Sequence, residues 1–191
     1  MKITGAEIWT VVVPTIPGRV HSPEWVAETG WDQMPKQIVR LTTDTEYVGI
    51  GETDRGVSVE AVQAGLRLLL GRDPERLALQ DIYHQPGDGA NLQYSPGALA
   101  AYNALEIAVF DLVGRLRGLP VHALLGGAMR KRVRADFWMG HQTPEDGRRS
   151  VEWALARGFT GVKIKCRAEE PMRARLAAML DVAGPGFKVT V

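Results

Sequence analysis

The sequence predicts two structural regimes in one chain: an α+β unit built on a small antiparallel meander, then the opening βαβαβ run of a parallel sheet or barrel. Three observations carry this reading. Strand-like runs rich in β-branched residues dominate the first fifty residues and include a tight turn. Helical periodicity takes over between Ser58 and Arg117. From Arg132 the pattern becomes strand, helix, strand, helix, strand, the rhythm of a parallel sheet covered by helices.

Composition narrows the function classes. With 191 residues, 45% hydrophobic and 24% charged, the chain has the make-up of a globular protein with room for a core. A net charge of +1 gives no electrostatic basis for binding nucleic acid or an anionic membrane. Cys166 is the single cysteine, which excludes an internal disulfide framework and fits a reducing cytoplasm. No apolar run reaches the roughly 18 residues that a spanning helix needs. Met1 to Thr4 alternate like a strand and lack the apolar core of a signal peptide. A soluble cytoplasmic chain is expected, with no nucleic-acid or membrane partner.

Ile3 to Val13 reads as the first strand. Pro14 to Pro35 carries turn signals, His21, Trp25 and Trp31. A loop of about twenty residues is uncommon unless it closes over something, and two indoles argue against disorder. The plainer alternative is that they pin the loop to the core. Lys36–Thr43 and Glu46–Glu52 pair as a hairpin around Asp44-Thr45. Gly49-Ile50-Gly51 is not a dinucleotide loop, because Asp54 stands where the third glycine belongs. Helices follow from Ser58 to Leu70 and from Asp73 to Tyr83, with a turn at Gly87 to Asn91. The strongest helix runs from Ser95 to Arg117. Ser95 is its N-cap, Pro96 its first residue, and Gly118 follows its end. Leu99, Tyr102, Leu105, Val109, Leu112 and Leu116 form its apolar stripe, and Asn103, Glu106 and Asp111 read as structural polar partners.

Val133 to Met139 reads as a strand, and Thr143-Pro144-Glu145-Asp146 as a capping-box start to a helix ending at Gly158. Gly161 to Cys166 is a buried strand with Val162, Ile164 and Cys166 on one face and Lys163 and Lys165 on the other. Two like charges on one face have a bland explanation, a solvated face or a lysine-blunted edge. They also have a sharper one, a pocket in which each lysine lowers the other's pKa until one serves as a base. A helix from about Glu169 to Val182 and a strand from Phe187 to Val191 complete the run. Cys166 reads as a small packed hydrophobe and His84 and His122 as structural, while His141, just past a strand, reads as a surface histidine before a helix cap or as a residue of the face where a barrel places its site.

The run from Ala104 through Asp111 to Gly114, leading into Gly118-Leu119-Pro120 and Leu124-Leu125-Gly126-Gly127, resembles the end of the capping domain in the enolase superfamily. The resemblance is to its mandelate racemase and muconate lactonizing enzyme branch. It extends over essentially the whole chain, and its Asp-x-x-Gly and Leu-Pro-x-x-x-Leu-Leu-Gly-Gly segments are more specific than Lys-x-Lys. It implies an α+β capping domain over residues 1–131 and the start of a modified (β/α) TIM-like barrel over residues 132–191. It also implies abstraction of the proton α to a carboxylate through an enediolate, with Mg²⁺ as cofactor. A small carboxylate would be the substrate and a homo-oligomer the assembled form.

On this resemblance Lys165 is the base and Lys163 its charged neighbour, with His21, Trp25, Trp31 and Thr53 as substrate contacts from the cap loops. The implied activities are sugar-acid dehydration or hydroxy-acid racemisation, with dipeptide epimerisation or cycloisomerisation as alternatives. The resemblance implies that the Mg²⁺ ligands lie on later strands, the first just past Val191, and that a partner base lies downstream as well; a complete barrel takes roughly 250 residues. A chain of this extent is expected to be inactive by itself, and a non-catalytic fragment is the reading from another class.

Overall fold

The computed structural model describes residues 1–29, 32–78 and 100–191. Strand β1 (Ile3–Pro14) is followed by a short helix, α1 (Pro23–Thr29), and then by β2 (Gln33–Thr43) and β3 (Gly49–Glu52). The strands form a sheet in the order β1-β2-β3. β2 and β3 are antiparallel, with Leu41 opposite Gly49 and Ile38 opposite Glu52, so the hairpin is centred near Thr45 as its turn residues suggest. The expected twenty-residue loop is corrected by α1. Ser22-Pro23-Glu24 supplies a helix-start sequence, with proline at the first helical position and an acidic first turn.

Helix α2 (Val59–Arg67) is capped by Ser58, whose hydroxyl accepts from the Ala61 amide. A helix from Asp73 to Tyr83 is not what the described residues show. A single 3₁₀ turn spans Pro74–Arg76, and Leu77 is already extended at φ −88°, ψ 118°. Asp73 accepts from the Glu75 amide at 3.1 Å, a local bond that starts a turn without committing the chain to a longer helix. Tyr83, His84, Gly87 to Asn91, Ser95, Pro96 and Leu99 lie outside the described residues. Helix α3 (Tyr102–Arg117) ends where Gly118 turns to φ 62° and the Leu119 amide bonds back to Gly114 at 2.8 Å. A one-turn helix, α4 (Val121–Leu124), follows.

The antiparallel sheet buries Ile3, Val39 and Leu41 against Leu105, Ala108, Val109 and Leu112 of α3. Gly49 and Gly51 explain how strand and helix come so close. A Cβ on Gly51 would stand 1.9 Å from the Ala104 carbonyl oxygen, and one on Gly49 would stand 2.0 Å from that of Ala108. The Gly-x-Gly pair is therefore a packing device, in which the missing side chains let β3 lie on the α3 backbone.

The C-terminal region alternates β4 (Phe137–Met139), α5 (Pro144–Leu155), β5 (Gly161–Ile164), α6 (Met172–Ala183) and β6 (Lys188–Thr190). The three strands are parallel in the order β4-β5-β6. Strand β4 is shorter than the expected Val133–Met139, and Val133 is 84% exposed. Met139, Val162, Ile164, Val151, Ala154 and Met179 form this region's buried apolar core. Gly147 in α5 faces Met179 and the aliphatic stem of Arg175 in α6.

The chain divides into two compact units, Met1–Val13 with Pro35–Met129, and Pro14–Met34 with Arg130–Val191. Residues 14–34 thus group with the parallel sheet. Among the described residues no helix is long and apolar enough to cross a membrane.

Candidate active site

The parallel register decides which side chains share a face. Lys163 stands between Trp138 on β4 and Thr190 on β6. Its neighbours Val162 and Ile164 turn into the apolar core, so the expected alternation along this strand is present. The Lys163 ammonium lies 5.8 Å from the Trp138 ring centre, within reach of a cation–π attraction. Lys165 follows the last residue of β5. Its amide still donates to the Met139 carbonyl at 3.1 Å, and its side chain is exposed. Beyond it the chain leaves the sheet, which corrects the expectation for Cys166: the thiol is exposed rather than packed.

The segment before α1 is threaded along the C-terminal end of β4. The Gly140 amide donates to the Val20 carbonyl at 2.8 Å, and the Ser22 amide to the His141 carbonyl at 3.0 Å. His21 lies flat over Gly140, where a Cβ would come within 2.2 Å of the ring, so only glycine admits the imidazole. His21 Nδ1 accepts from the His141 amide at 3.0 Å. The His21 ring meets Trp138 edge-on at 5.9 Å, and the Trp25 ring lies 5.9 Å from that of His141. Ser22 donates to Asp146 and accepts from the Thr143 amide at 2.9 Å, tying the segment to the start of α5.

His141 is not a surface residue. It is buried, and its Nδ1 bonds to the carboxylate of Glu170. Glu170 also accepts from the Arg167 amide at 3.0 Å and from Arg175 Nη1 at 3.2 Å. Arg175 is wholly buried, and it donates to the Lys165 carbonyl at 3.0 Å and the Gly140 carbonyl at 2.7 Å. Neither Glu170 nor Arg175 is visible as special in the sequence. Glu169 and Arg173 carry the same charges one and two places away and are exposed. Only the tertiary fold tells the buried pair from the solvated one.

These surroundings shift three groups. Burial is the main cause that lowers the His21 imidazole from 6.5 to about 4, with electrostatic contributions from His141, Arg175 and Lys165 in the same direction and Glu170 opposing. Burial also pushes the Arg175 guanidinium down, against the pull of Glu170. For Asp146, burial acts upward, and hydrogen bonds from Ser22, Arg149 and Thr143 outweigh it to hold the carboxyl below its usual value.

The structure thus gathers His21 and Trp25 around the strand that carries Lys163 and Lys165. Thr53 belongs to the first unit, where it is buried and its hydroxyl accepts from the Gln37 amide at 2.9 Å. Trp31 lies outside the described residues. Among the described residues no group of three or more His, Cys, Asp or Glu is placed to hold a metal ion. The chemistry on offer is that of two cationic amines beside indole and imidazole rings, suited to an organic anion and to moving a proton.

Comparison with known proteins agrees with the fold. Residues 8–126 match the family model for the mandelate racemase / muconate lactonizing enzyme N-terminal domain. D-galactonate dehydratase of Verminephrobacter eiseniae is 32% identical over 134 residues, covering 66% of this chain and 34% of that protein. The L-Ala-D/L-Glu epimerase from Bacillus subtilis, solved with its substrate, superposes with a TM-score of 0.75 at 24% identity, over 99% of this chain and 52% of that one. An enolase from Pseudomonas fluorescens, with bound magnesium, potassium and tartrate, gives a TM-score of 0.66 at 22% identity, over 98% and 51%. The chain spans about a third of the curated relative and about half of each solved structure.

Proposed function

The chain belongs to the mandelate racemase and muconate lactonizing enzyme branch of the enolase superfamily, and from that premise we propose that it carries the base of a sugar-acid dehydratase. In this reading Lys165 removes the proton α to the substrate carboxylate and Lys163 supplies a neighbouring positive charge. The single observation that carries the proposal is the placement of both lysines at the C-terminal end of a central parallel strand, with Lys165 exposed just past it. In barrels of parallel strands that end is where chemistry is built. The three strands are read as the start of such a barrel, and the preceding α+β region as its cap.

Proton loss from the α-carbon gives an enediolate. Departure of the β-hydroxyl, which takes up a proton from solvent and leaves as water while Lys165 returns the abstracted proton to solvent, gives an enol that relaxes to a 2-oxo acid. Lys163, partly buried against Trp138, favours the carboxylate and the charge that develops on it. His21 and Trp25 are assigned to the substrate side, where the Trp25 indole excludes water. The dehydratase named among the relatives supports a sugar acid. The tartrate held by the Pseudomonas fluorescens enolase supports a polyhydroxy acid more broadly.

Magnesium belongs to the proposal as the cofactor found in that neighbour. Among the described residues no group of three or more His, Cys, Asp or Glu is placed to hold it. The single cysteine supports assignment to the cytoplasm.

The test is a screen of acid sugars against the full-length protein with Mg²⁺, reading formation of a 2-oxo acid. Turnover of one or more aldonic acids is the expected result. Racemisation or epimerisation without loss of water would move the assignment to another member of the superfamily.

A further inference from the structure

We propose that Arg175, braced by Glu170, is the positioning residue of the Lys165 base, fixing the backbone from which that side chain projects. The inference rests on the reading of Lys165 given above and adds a residue that neither touches substrate nor carries the proton. The last carbonyls of parallel strands have no further strand residue to pair with, and the residue on the last one is free to swing. At the ends of β4 and β5 one guanidinium meets both carbonyls: Nη2 reaches that of Gly140 at 2.7 Å and Nη1 that of Lys165 at 3.0 Å. Arg175 therefore spans the two strand ends and holds Lys165 at its own peptide group. The planar fork of arginine suits this bridge, whereas a lysine would supply a single flexible point of attachment.

Glu170 closes the arrangement. It accepts from Arg175 Nη1 at 3.2 Å and from the Arg167 amide at 3.0 Å, so the turn after Lys165 is fixed from both sides. Both side chains are fully buried, which is costly for charged groups, and the bonds from Nη1 and Nη2 offset that cost while the buried Nε has no partner among the described residues. A salt bridge needed only for the core could sit anywhere along α6. This one is spent on the carbonyl of the residue assigned to chemistry. Small displacements of a reacting group cost large factors in rate, so the arrangement acts on turnover more than on binding.

The experiment compares Lys165→Ala, Arg175→Met, Arg175→Lys and Glu170→Gln in the full-length protein, reading exchange of the substrate α-proton with D₂O. Amide hydrogen exchange across residues 160–170 is followed in parallel. With Lys165→Ala inactive, Arg175→Met is expected to lower kcat for exchange about 100-fold with KM within about threefold, and Arg175→Lys to recover roughly tenfold of that loss. Amides of Lys165 and Arg167 should lose protection while those of Val162 and Ile164 keep theirs. If Arg175→Met does not fold, Arg175→Lys and Glu170→Gln carry the test with the same local signature.

Wild-type kcat in the folded arginine variants overturns the positioning role while leaving Lys165 as the base. Loss of protection along the whole strand overturns it too, since Arg175 would then hold the core together rather than one residue. Undiminished exchange in Lys165→Ala removes the underlying reading, and the positioning role falls with it.

Discussion

Among the described buried polar residues, Gln37 and Thr53 belong to the first unit, while His21, Ser22, His141, Gln142, Asp146, Ser150, Glu170 and Arg175 belong to the second. Among its described residues the first unit pairs charges at the surface, as Arg40 with Glu7 and Arg117 with Glu75, and its core is mostly aliphatic with Tyr102. The second unit buries two acids, Asp146 and Glu170, with Arg175 and two histidines at one end of its strands. Burial of charge is costly and does little for stability compared with apolar packing. Its concentration at the strand ends beside Lys163 and Lys165 is the arrangement that the proposed site calls for, and the described interior of the first unit is mostly apolar by comparison.

Breaking the buried pair should have the largest effect. Glu170→Ala leaves the Arg175 guanidinium without its carboxylate and is expected to cost about 3–5 kcal/mol, read as a fall in the urea midpoint of the second unit. The first unit should respond instead to volume. Gly51→Ala drives a methyl group into the Ala104 carbonyl and is expected to cost about 2–3 kcal/mol, with no change in pH dependence.

A third prediction separates the units by pH. His21 has a folded pKa of about 4 against 6.5 when unfolded, so the unfolded chain binds the extra proton between those values. Its contribution is therefore present above pH 6.5 and lost as pH falls towards 4, amounting to at most about 3 kcal/mol. Protonation also destroys the Nδ1 acceptor used by the His141 amide, so His141 amide exchange should accelerate over this window. His21→Asn should flatten that part of the pH–stability curve. The smallest effect is expected at Glu7, where Glu7→Gln removes a half-exposed ion pair and should change stability by less than about 0.5 kcal/mol in a thermal melt.

Much of the strand and helix order was legible in the sequence, because the signals are local. The Thr143 cap, the Gly118 terminus and the alternation of Val162, Lys163 and Ile164 each follow from a few adjacent residues. What escaped was tertiary. Gly49 and Gly51 have meaning only against the α3 backbone, and Gly140 only beneath the His21 ring. His141 looks like a surface residue before a cap until the Glu170 carboxylate is placed beside it. The helix α1 was masked by the proline and tryptophan content of its surroundings, although Ser22-Pro23-Glu24 carries the start signal. Strand alternation would bury Cys166 only if the strand continued, and the strand ends at Ile164.

The role proposed for Lys165 is removal of the α-proton. The direct measurement is deuterium incorporation at the substrate α-carbon in D₂O, comparing Lys165→Ala with Lys163→Ala in the full-length protein under saturating Mg²⁺. The account predicts that Lys165→Ala abolishes incorporation while Mg²⁺ binding persists, and that Lys163→Ala slows it and raises KM. Incorporation at the wild-type rate in Lys165→Ala would contradict it.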